Sequence, residues 1–287
     1  MKRLDRTEVI FKILSYAILT IFALCCLYPF IYILSSSLSS KSAVDNGKIW
    51  LLPDTIDLQV YEVVFTDKEF WMAYCNSFFV TIYGTLVSML VAICGAYALS
   101  KTRLMFGRGF NFMLTLTMWF NAGMIPTYQN FKNFGVDNKY MFIIALGFNA
   151  FNIILLRNYF SGVPTEIEEA ATIDGATEFQ ILTRVYIPMS KSSIVTVAMF
   201  YAVARWNGYI WAQMILTSKS DTLLTVYIKD NMQQMIDLLN SGGYEPPYST
   251  YALQYAFIVC SIVPIIIVYP KLQKYFAAGV NVGGVKE

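Results

Sequence analysis

The chain has no histidine and few charged residues, which make up 14% of its 287 positions. Without histidine it lacks the commonest proton shuttle and metal ligand of proteins. Its five cysteines stand singly or side by side within apolar stretches, and no pair has the spacing of a metal site or of a disulfide framework. We therefore expect small buried apolar side chains at these positions and no metal site.

Sequence features that several classes of active protein require are also missing. No Gly-x-x-x-x-Gly-Lys segment is present, so the chain has no phosphate-binding loop for ATP. No Asp or Glu falls within a long apolar run, whereas ion-coupled carriers keep ionisable groups near the middle of the membrane. A membrane-embedded hydrolase would need a base beside its nucleophile. A net charge of +2 gives no sign of nucleic-acid binding. These absences disfavour an enzyme and an ion-coupled transporter.

Apolar sequence is what the chain has in excess, at 56% of all residues. A membrane-spanning helix needs about 20 mostly apolar residues. Runs near or above that length occur at residues 11–38, 71–99, 110–128, 140–160, 192–216 and 250–270. The sequence therefore predicts an all-α membrane protein with six transmembrane helices. The first run is too long for a signal peptide and no small-residue cleavage site follows it, so we interpret it as a retained anchor.

Basic residues favour one of the two sets of segments that alternate between the predicted spans. That set comprises the amino terminus, residues 100–109, residues 157–191 and the chain after residue 270, and it holds more Lys and Arg than the opposite set. Loops rich in Lys and Arg stay on the cytoplasmic side of a membrane. We therefore expect both termini and residues 157–191 to be cytoplasmic.

Residues 163–188 form a polar, helix-forming insert between two apolar runs. Pro164 and the glutamates after it suit the first turn of a helix. Gly175 follows Asp174 and is free to take the positive φ of a tight bend. Pro188 is expected to end the second helix. The apolar residues of that helix recur at i, i+3 and i+7, as a stripe fit for a groove on a partner: Phe179, Leu182 and Tyr186. An ordinary helical hairpin between two spans is the plainer alternative.

The insert resembles the EAA loop of ABC importer permeases, the cytoplasmic segment by which these permeases bind their ATPase. Glu169, Ala170 and Ala171 are followed after three residues by Gly175, and nine residues later by a segment similar to Ile-x-Leu-Pro that ends at Pro188. From about residue 70 onward the chain resembles a MalG-type permease of the carbohydrate-uptake ABC importers. Segments 123–128, 151–160 and 277–287 are similar to the subgroup that carries complex-polysaccharide or aldouronate-type oligosaccharides.

This resemblance implies the type I ABC importer (MetI-like) permease fold and a set of partners. A second related permease, two ATPase subunits and an extracellular or periplasmic solute-binding protein would assemble with this chain in the bacterial cell membrane. ATP and Mg²⁺ would bind to the ATPase, and no cofactor is expected on this chain. The tail around Gly279, Gly283 and Gly284 would reach the interface between the ATPases. The residues expected to couple to the ATPase are Glu169, Ala170, Ala171, Asp174, Gly175, Phe179, Leu182, Tyr186 and Pro188.

Polar and aromatic residues within the predicted spans are candidates for the sugar path. Arg205 is the one charge deep inside an apolar run, about 21 Å along a helix from Lys191. A charge at that depth costs a few kcal/mol, so we expect it to face a partner or a water-filled cavity. The alternative is that the aromatic residues form an interfacial belt and the amides join helices. The candidates are Trp119, Asn121, Asn149, Asn152, Arg205, Trp206, Asn207 and Tyr209.

The sequence therefore predicts a multi-pass permease subunit of an ATP-driven oligosaccharide importer. We expect residues 1–70 to form the first span and an external loop, residues 71–270 to form the permease core, with its coupling loop at 161–190, and residues 271–287 to form a cytoplasmic tail. A permease of the same fold for polyols or glycerol-phosphates is one alternative. An ion-coupled carrier is the other, and the lack of acidic residues in the runs opposes it.

Overall fold

A computed structural model of the chain describes residues 6–242 and 246–280, and within these ranges the structure is helical. The α-helices are α1 (Arg6–Ser37), α2 (Lys41–Asp45), α3 (Gln59–Thr66), α4 (Lys68–Ser100), α5 (Gly107–Trp119), α6 (Met124–Asn133), α7 (Lys139–Ala145), α8 (Ala150–Phe160), α9 (Thr165–Ile173), α10 (Glu178–Ile181), α11 (Ile187–Met189), α12 (Lys191–Trp206), α13 (Ile210–Ile215), α14 (Leu224–Asn240) and α15 (Thr250–Val280). A π-helix (Leu182–Tyr186) joins α10 to α11. The predicted contacts of Gly283 and Gly284 lie outside the described residues.

The chain divides into two compact units. The first comprises residues up to Phe70 together with Ile228–Val263, and the second comprises Trp71–Tyr227 together with the chain from Pro264. Aromatic contacts hold the first unit together, with the rings of Tyr32 and Tyr255 5.8 Å apart. The ring of Phe70, which is almost fully buried, lies 5.5 Å from that of Phe257. Edge and tilted ring pairs of this kind add specific geometry to the burial of apolar area.

Three helices of the described chain are long and apolar enough to cross a membrane: α1, α4 and α15. Two bent pairs raise the number to five if each pair is one span. These are α7 with α8, bent by 52°, and Glu178–Met189 with α12, bent by 87°. Helix α5 has 13 residues, or about 20 Å, and is shorter than the ~30 Å apolar layer of a bilayer. The apolar pattern predicted one continuous helix for each of the runs at 110–128, 140–160 and 192–216. The structure instead interrupts each of these three runs.

Local polar groups account for these breaks. After α5, Asn121 Oδ1 accepts a hydrogen bond from the amide of Gly123 at 2.9 Å, and Gly123 has a φ of +90°, which glycine adopts without strain. Asn149 Oδ1 accepts a hydrogen bond from the amide of Asn152 at 3.0 Å. Asn149 is therefore the N-cap that starts α8 as a new helix. Asn207 follows the last residue of α12 as its C-cap. An apolar run in the sequence does not reveal such caps, because its mean hydropathy is unaffected by them.

Small residues on α4 let the other helices of the second unit approach it closely. Ala92 and Ala96 are completely buried in a cluster with Ile153 and Leu156 of α8 and Val197 of α12. Full burial of a side chain such as Leu156 contributes roughly 1.5–3 kcal/mol to folding. Helix α4 is therefore the central element of this unit.

A polar cluster fastens the first part of α4 to two other segments. The buried Asn76 side chain donates to the carbonyls of Ser220, at 2.8 Å, and Thr222, at 3.1 Å. Its Oδ1 accepts a hydrogen bond from Lys139 Nζ at 2.9 Å, and Lys139 Nζ also lies 3.4 Å from Asp221 Oδ1. The amide–carbonyl bonds and the ion pair attach the start of α7 and the turn before α14 to one helix.

The cysteines do not follow the prediction that they are buried. Cys25, Cys26, Cys75 and Cys94 are exposed, and Cys260 is half-buried. The four exposed thiols lie on faces of α1 and α4 that the rest of the described chain leaves uncovered. A membrane helix has apolar residues on every side, so apolar surroundings in the sequence do not indicate which side chains face inward.

Candidate functional site

The segment of residues 161–190, here called the coupling segment, folds as a helical bracket. Helix α9 begins at Thr165, one residue later than the sequence predicted, with Pro164 as its N-cap. Gly175 takes a φ of +79° at the bend, as expected for the residue after Asp174. The second arm starts at a capping box. The Thr177 hydroxyl accepts a hydrogen bond from the backbone amide of Gln180, and the Gln180 side chain accepts one from the backbone amide of Thr177.

The second arm is not the single helix, ended by Pro188, that the sequence predicted. It changes from α-helix to π-helix at Leu182 and continues as far as Met189. Pro188 lies within the short helix α11, and the arm ends one residue later, at Met189. Single turns of π-helix inside α-helices are frequent at functional sites.

The predicted apolar stripe is divided between the interior and the surface. Phe179 is 73% exposed, whereas Leu182 and Tyr186 are buried in the core. The buried face is made by Ile181 and Tyr186, five residues apart, because the i to i+5 bonding of a π-helix places such residues on one side. The stripe of Phe179, Leu182 and Tyr186 is therefore not presented to a partner as a whole, and that part of the prediction is wrong.

The surface of the coupling segment lies around the bend. Glu169, Ala170, Asp174 and Gly175 are exposed, and Ala171 is half-buried. A cavity of about 350 Å³ opens beside them and is lined by Ala171, Asp174, Gly175, Ala176, Gln180, Ile181, Arg184 and Val185. This surface combines carboxylates with exposed apolar side chains, chiefly Phe179 and the 86% exposed Ile173. It has the mixed chemistry of a protein-binding surface.

A charged and hydroxyl network joins the coupling segment to the end of α4. Lys101 Nζ lies 2.7 Å from Glu168 Oε2 and donates to the hydroxyl of Tyr186 at 3.0 Å. That hydroxyl donates in turn to Glu168 Oε2 at 2.6 Å. The side chains of Lys101 and Glu168 are only 9% and 16% exposed, so water screens their attraction much less than at an open surface. We call Lys101, Glu168 and Tyr186 the inner clamp.

Aromatic rings complete the surroundings of the Lys101 ammonium. Its Nζ lies 4.2 Å from the ring centroid of Tyr97 and 4.1 Å from that of Tyr186, and the two rings meet edge to face at 5.0 Å. Each ring face attracts the cation. The Tyr97 hydroxyl also donates to Glu178 Oε2 at 2.7 Å, and Arg103 pairs with Glu178. Arg103 and Glu178 are both more than half exposed, so their pair contributes less than the clamp.

The inner clamp keeps Glu168 ionised at neutral pH. Burial alone would raise the pKa of Glu168, but the hydrogen bonds from Lys101 and Tyr186 outweigh it and hold that pKa below its ordinary value of 4.5. Because the folded-state pKa is the lower one, the stabilisation is fully present above pH 4.5 and is lost as the pH falls through the folded-state value. The clamp is therefore intact throughout the physiological range.

Sequence reasoning missed Lys101 and Glu168, although both were visible as charges in the segments predicted to be cytoplasmic. They are far apart in the chain, and no sequence spacing signals a contact between the end of α4 and the start of α9. The π-helix that turns Tyr186 inward leaves no pattern in the sequence either. The clamp emerges only when the helices are packed.

The candidates for the sugar path fall into separate groups. Trp119 is 81% exposed at the end of α5, and Asn121 bonds within the turn that follows. In the described part of the chain, no hydrogen bond or ring contact joins either residue to the other candidates. Asn149 is exposed at the start of α8, while Asn152 is buried beside Tyr201.

The remaining candidates lie at the end of α12. Arg205 and Trp206 are buried, and the Trp206 ring packs edge-on against Tyr74 and Phe78 at centroid distances of 5.9 Å and 5.0 Å. Asn207 is exposed and Tyr209 is half-buried, in the short break before α13. The two exposed amides therefore flank breaks in two different helices, one before α8 and one before α13.

Comparison with known proteins places the chain among transporters. Residues 1–282 match the model of a family described as "Binding-protein-dependent transport system inner membrane component". The chain is 35% identical over 284 residues to the polygalacturonan/rhamnogalacturonan transport system permease protein YtcP of Bacillus subtilis, covering 96% of this chain and 98% of that protein. It is 28% identical to the arabinooligosaccharides transport system permease protein AraQ of Halalkalibacterium halodurans, covering 92% of each.

Solved structures agree with these relatives. A chain from the crystal structure of a bacterial ABC transporter involved in the import of the acidic polysaccharide alginate matches with a TM-score of 0.87 and 44% identity, covering 96% of this chain and 100% of that one. A chain from a bacterial alginate ABC transporter in complex with an alginate pentasaccharide-bound periplasmic protein has the same fold, with a TM-score of 0.60 at 13% identity. The all-helical fold and the sugar-permease family expected from the sequence are thus confirmed.

The inner clamp predicts a difference between two neighbouring basic residues. Lys101→Met should remove charge-assisted bonds worth about 1.5–3 kcal/mol and loosen the coupling segment. Hydrogen exchange of the chain in lipid nanodiscs should then accelerate at the amides of α9. Arg103→Met, which removes a more exposed cation of the same charge, is the control and should have a smaller effect. Equal exchange in the two variants, or no change in either, would show that the clamp does not hold the segment.

Proposed function

The chain belongs to the family of binding-protein-dependent transport system inner membrane components, and we propose that it is the permease subunit of an ABC importer that carries an oligosaccharide into the cell. The observation that carries this proposal is the match, over nearly the whole chain, to a subunit of an importer of an acidic polysaccharide. Relatives named for polygalacturonan and arabinooligosaccharide transport support a sugar over a polyol or a glycerol-phosphate.

Six membrane spans with both termini in the cytoplasm are the topology that we propose. Helices α1, α4 and α15, the bent pair of α7 with α8, and α12 would supply five spans, while the arm Glu178–Met189, which is bent by 87° from α12, would stay in the coupling segment. The sixth would be α5, extended toward the outer surface by the non-helical residues 120–123. The excess of Lys and Arg in residues 100–109 and 157–191 supports a cytoplasmic coupling segment.

The exposed bend of the coupling segment is the surface that we propose binds the ATPase. Glu169 and Asp174 would pair with basic residues of the ATPase, and Ala170 and Ala171 would allow close approach. The exposed ring of Phe179 would enter an apolar groove, and Gly175 would maintain the bend. Leu182 and Tyr186 would support this surface from within, whereas Pro188 is exposed near the end of the second arm. ATP and Mg²⁺ would bind to the two ATPase subunits, so this chain would need no cofactor.

Energy transfer from the ATPase would then proceed through the inner clamp. A rigid connection transmits a displacement, whereas a segment attached only by its two covalent ends absorbs it. Because Lys101 is next to the last residue of α4, movement of α9 is passed directly to the central helix of the second unit. In this mechanism the ATPase shifts α4, and α4 shifts the helices packed along it between an inward-open and an outward-open arrangement.

Two further partners follow from the family. A second, related permease would form the other half of the pore, and a solute-binding protein would deliver the sugar from outside. Helix α14 is amphipathic and leaves Met232, Leu238 and Leu239 exposed, which supports a contact with the binding protein on that side. The lipid bilayer would cover the apolar surface of α1, whose most apolar stretch is not buried by the rest of the chain.

Uptake driven by ATP alone tests the proposed function. The chain would be reconstituted into liposomes with its partner permease, ATPase and binding protein, and uptake of labelled trigalacturonate would be measured. We expect uptake to require ATP inside the liposomes and to persist when ionophores remove the ion gradients. Uptake that continues without ATP, or that the ionophores abolish, would contradict the proposal.

Gly175 offers a test of coupling with a matched control. Gly175 and Gly135 both have positive φ, at +79° and +69°, and a side chain at either position would meet open space. Valine at each position should introduce similar backbone strain, of order 1–2 kcal/mol. Only Gly175→Val should also reduce ATP hydrolysis stimulated by the loaded binding protein. Equal stimulation in both variants would remove Gly175 from the coupling mechanism.

Phe179 offers a second matched pair. Phe179 and Phe134 are 73% and 72% exposed, so truncation of either leaves the interior intact. We expect Phe179→Ala to lower the yield of co-purified ATPase severalfold, because a buried aromatic anchor at an interface is worth about 2 kcal/mol or more. Phe134→Ala, on the predicted outer side, should leave that yield unchanged. Normal yield with Phe179→Ala would show that the ring is not part of the ATPase contact.

A further inference from the structure

Two helices of the second unit are interrupted by short breaks. Residues 146–149 separate α7 from α8, and residues 207–209 separate α12 from α13. A helix end leaves its last carbonyl groups without an internal partner, and these groups carry the negative end of the helix dipole. Inside an apolar layer such carbonyls require another donor.

Arg205 supplies that donor to Ile143 at the end of α7, and it adds a second donor at Phe142, whose carbonyl also accepts a hydrogen bond from the amide of Leu146 at 3.4 Å. Its Nη2 donates to the carbonyl of Ile143 at 2.9 Å and to Ser88 Oγ at 3.2 Å, and its Nη1 donates to the carbonyl of Phe142 at 3.4 Å. The residue is 7% exposed. Within residues 6–242 and 246–280 its recorded partners are these carbonyls and the hydroxyl, and no carboxylate is among them. The carbonyl dipoles therefore stabilise the buried charge.

The same guanidinium lies directly against α4. A Cβ atom added at Gly84 would come within 2.9 Å of Arg205 Cζ and 3.0 Å of its Nε, so the arginine occupies the space that a side chain at 84 would fill. Gly84 and Ser88 lie on neighbouring turns near the middle of α4. Arg205 is next to the last residue of α12, so one side chain links the ends of two interrupted helices to one central helix.

We infer that Arg205 is a positioning residue of the transport path, which fixes both breaks against the middle of α4 and does not itself contact the sugar. This inference rests on the proposed function. Of the two surroundings expected for Arg205, a partner or a water-filled cavity, it favours partners within the chain, because Gly84, Ser88 and the two carbonyls lie against the guanidinium. The exposed amides beside the breaks, Asn149 and Asn207, are the groups that this arrangement leaves for sugar hydroxyls.

Charge and position can be separated by variants on two helices. Arg205→Lys retains the charge but loses the planar guanidinium group, which donates hydrogen bonds to Ile143 and Ser88 at the same time. Gly84→Ala retains Arg205 but displaces the guanidinium. The matched control is Gly95→Ala on the same helix, where a Cβ would meet Ile153 at an ordinary 3.6 Å. Each would be assayed in the reconstituted importer as the maximal rate of uptake per assembled complex.

Two sugars of equal length distinguish positioning from direct contact: trigalacturonate and its neutral methyl ester. We expect Arg205→Lys and Gly84→Ala each to lower the maximal rate about tenfold, as for loss of one bond to a charged group, and by the same factor for both sugars. Gly95→Ala should transport normally. A loss restricted to the acidic sugar in Arg205→Lys would establish direct contact and overturn the inference, as would normal transport by Gly84→Ala.

A measurement that needs no sugar makes the outcome independent of the proposed function. Hydrogen exchange in nanodiscs should accelerate at residues 143–149 and 207–209 in both Arg205→Lys and Gly84→Ala, with α9 unchanged. Unchanged exchange at either break would overturn the positioning role. If the wild-type complex transports neither sugar, the proposed function fails, while the exchange result still decides the role of Arg205. If Arg205→Lys cannot be assembled, the comparison of Gly84→Ala with its control Gly95→Ala still decides the outcome.

Discussion

The partly buried contact between Lys101, Glu168 and Tyr186 is the constraint on which the coupling segment depends. In this contact a carboxylate near the start of α9, a hydroxyl in the π-helix and the ammonium at the end of α4 converge within hydrogen-bond distance. It acts together with the burial of Leu182 and Tyr186 in the core and with the hydrogen bond from Tyr97 to Glu178. The two tyrosine rings beside the ammonium limit its contact with water, and low exposure makes such a pair stronger than a surface salt bridge.

Helix α4 makes polar contacts at three levels, and this arrangement explains how one segment could act on the whole second unit. Asn76 holds the turn before α14 and the start of α7 through Lys139. Gly84 and Ser88 receive Arg205 near the middle. Lys101 holds the coupling segment at the end. Between these levels, Ala92 and Ala96 allow α8 and α12 to pack closely. A helix fixed in this way moves as a body, because its packed neighbours resist bending.

The sequence was sufficient to predict the class of fold, the family and the bend of the coupling segment. The spacing from Glu169 to Gly175 and Pro188 identified the motif, and the positive φ of Gly175 agrees with the bend expected there. The interruptions of the third, fourth and fifth runs could not be predicted, because a single asparagine cap or glycine turn changes the helix without changing the hydropathy. The inward direction of Leu182 and Tyr186 depends on the π-helix, which has no sequence signature. Contacts such as Lys101 with Glu168 join residues from different helices, and no local pattern contains them. The roles in ATPase coupling and in the sugar path remain predictions.

The central claim is that the coupling segment and α4 move as one body, and an interspin distance tests it directly. Spin labels would be placed at Glu166, an exposed residue of α9 outside the proposed ATPase contact, and at Ile82 on the exposed face of α4, after replacement of the five native cysteines. Double electron–electron resonance would be recorded on the assembled importer in nanodiscs, without nucleotide and with ATP trapped. The account predicts one narrow distance distribution that is the same in both states and that broadens when Lys101 is replaced by Met. A wild-type distance that changes when ATP is bound would show that the segment moves independently of α4 and would contradict the account.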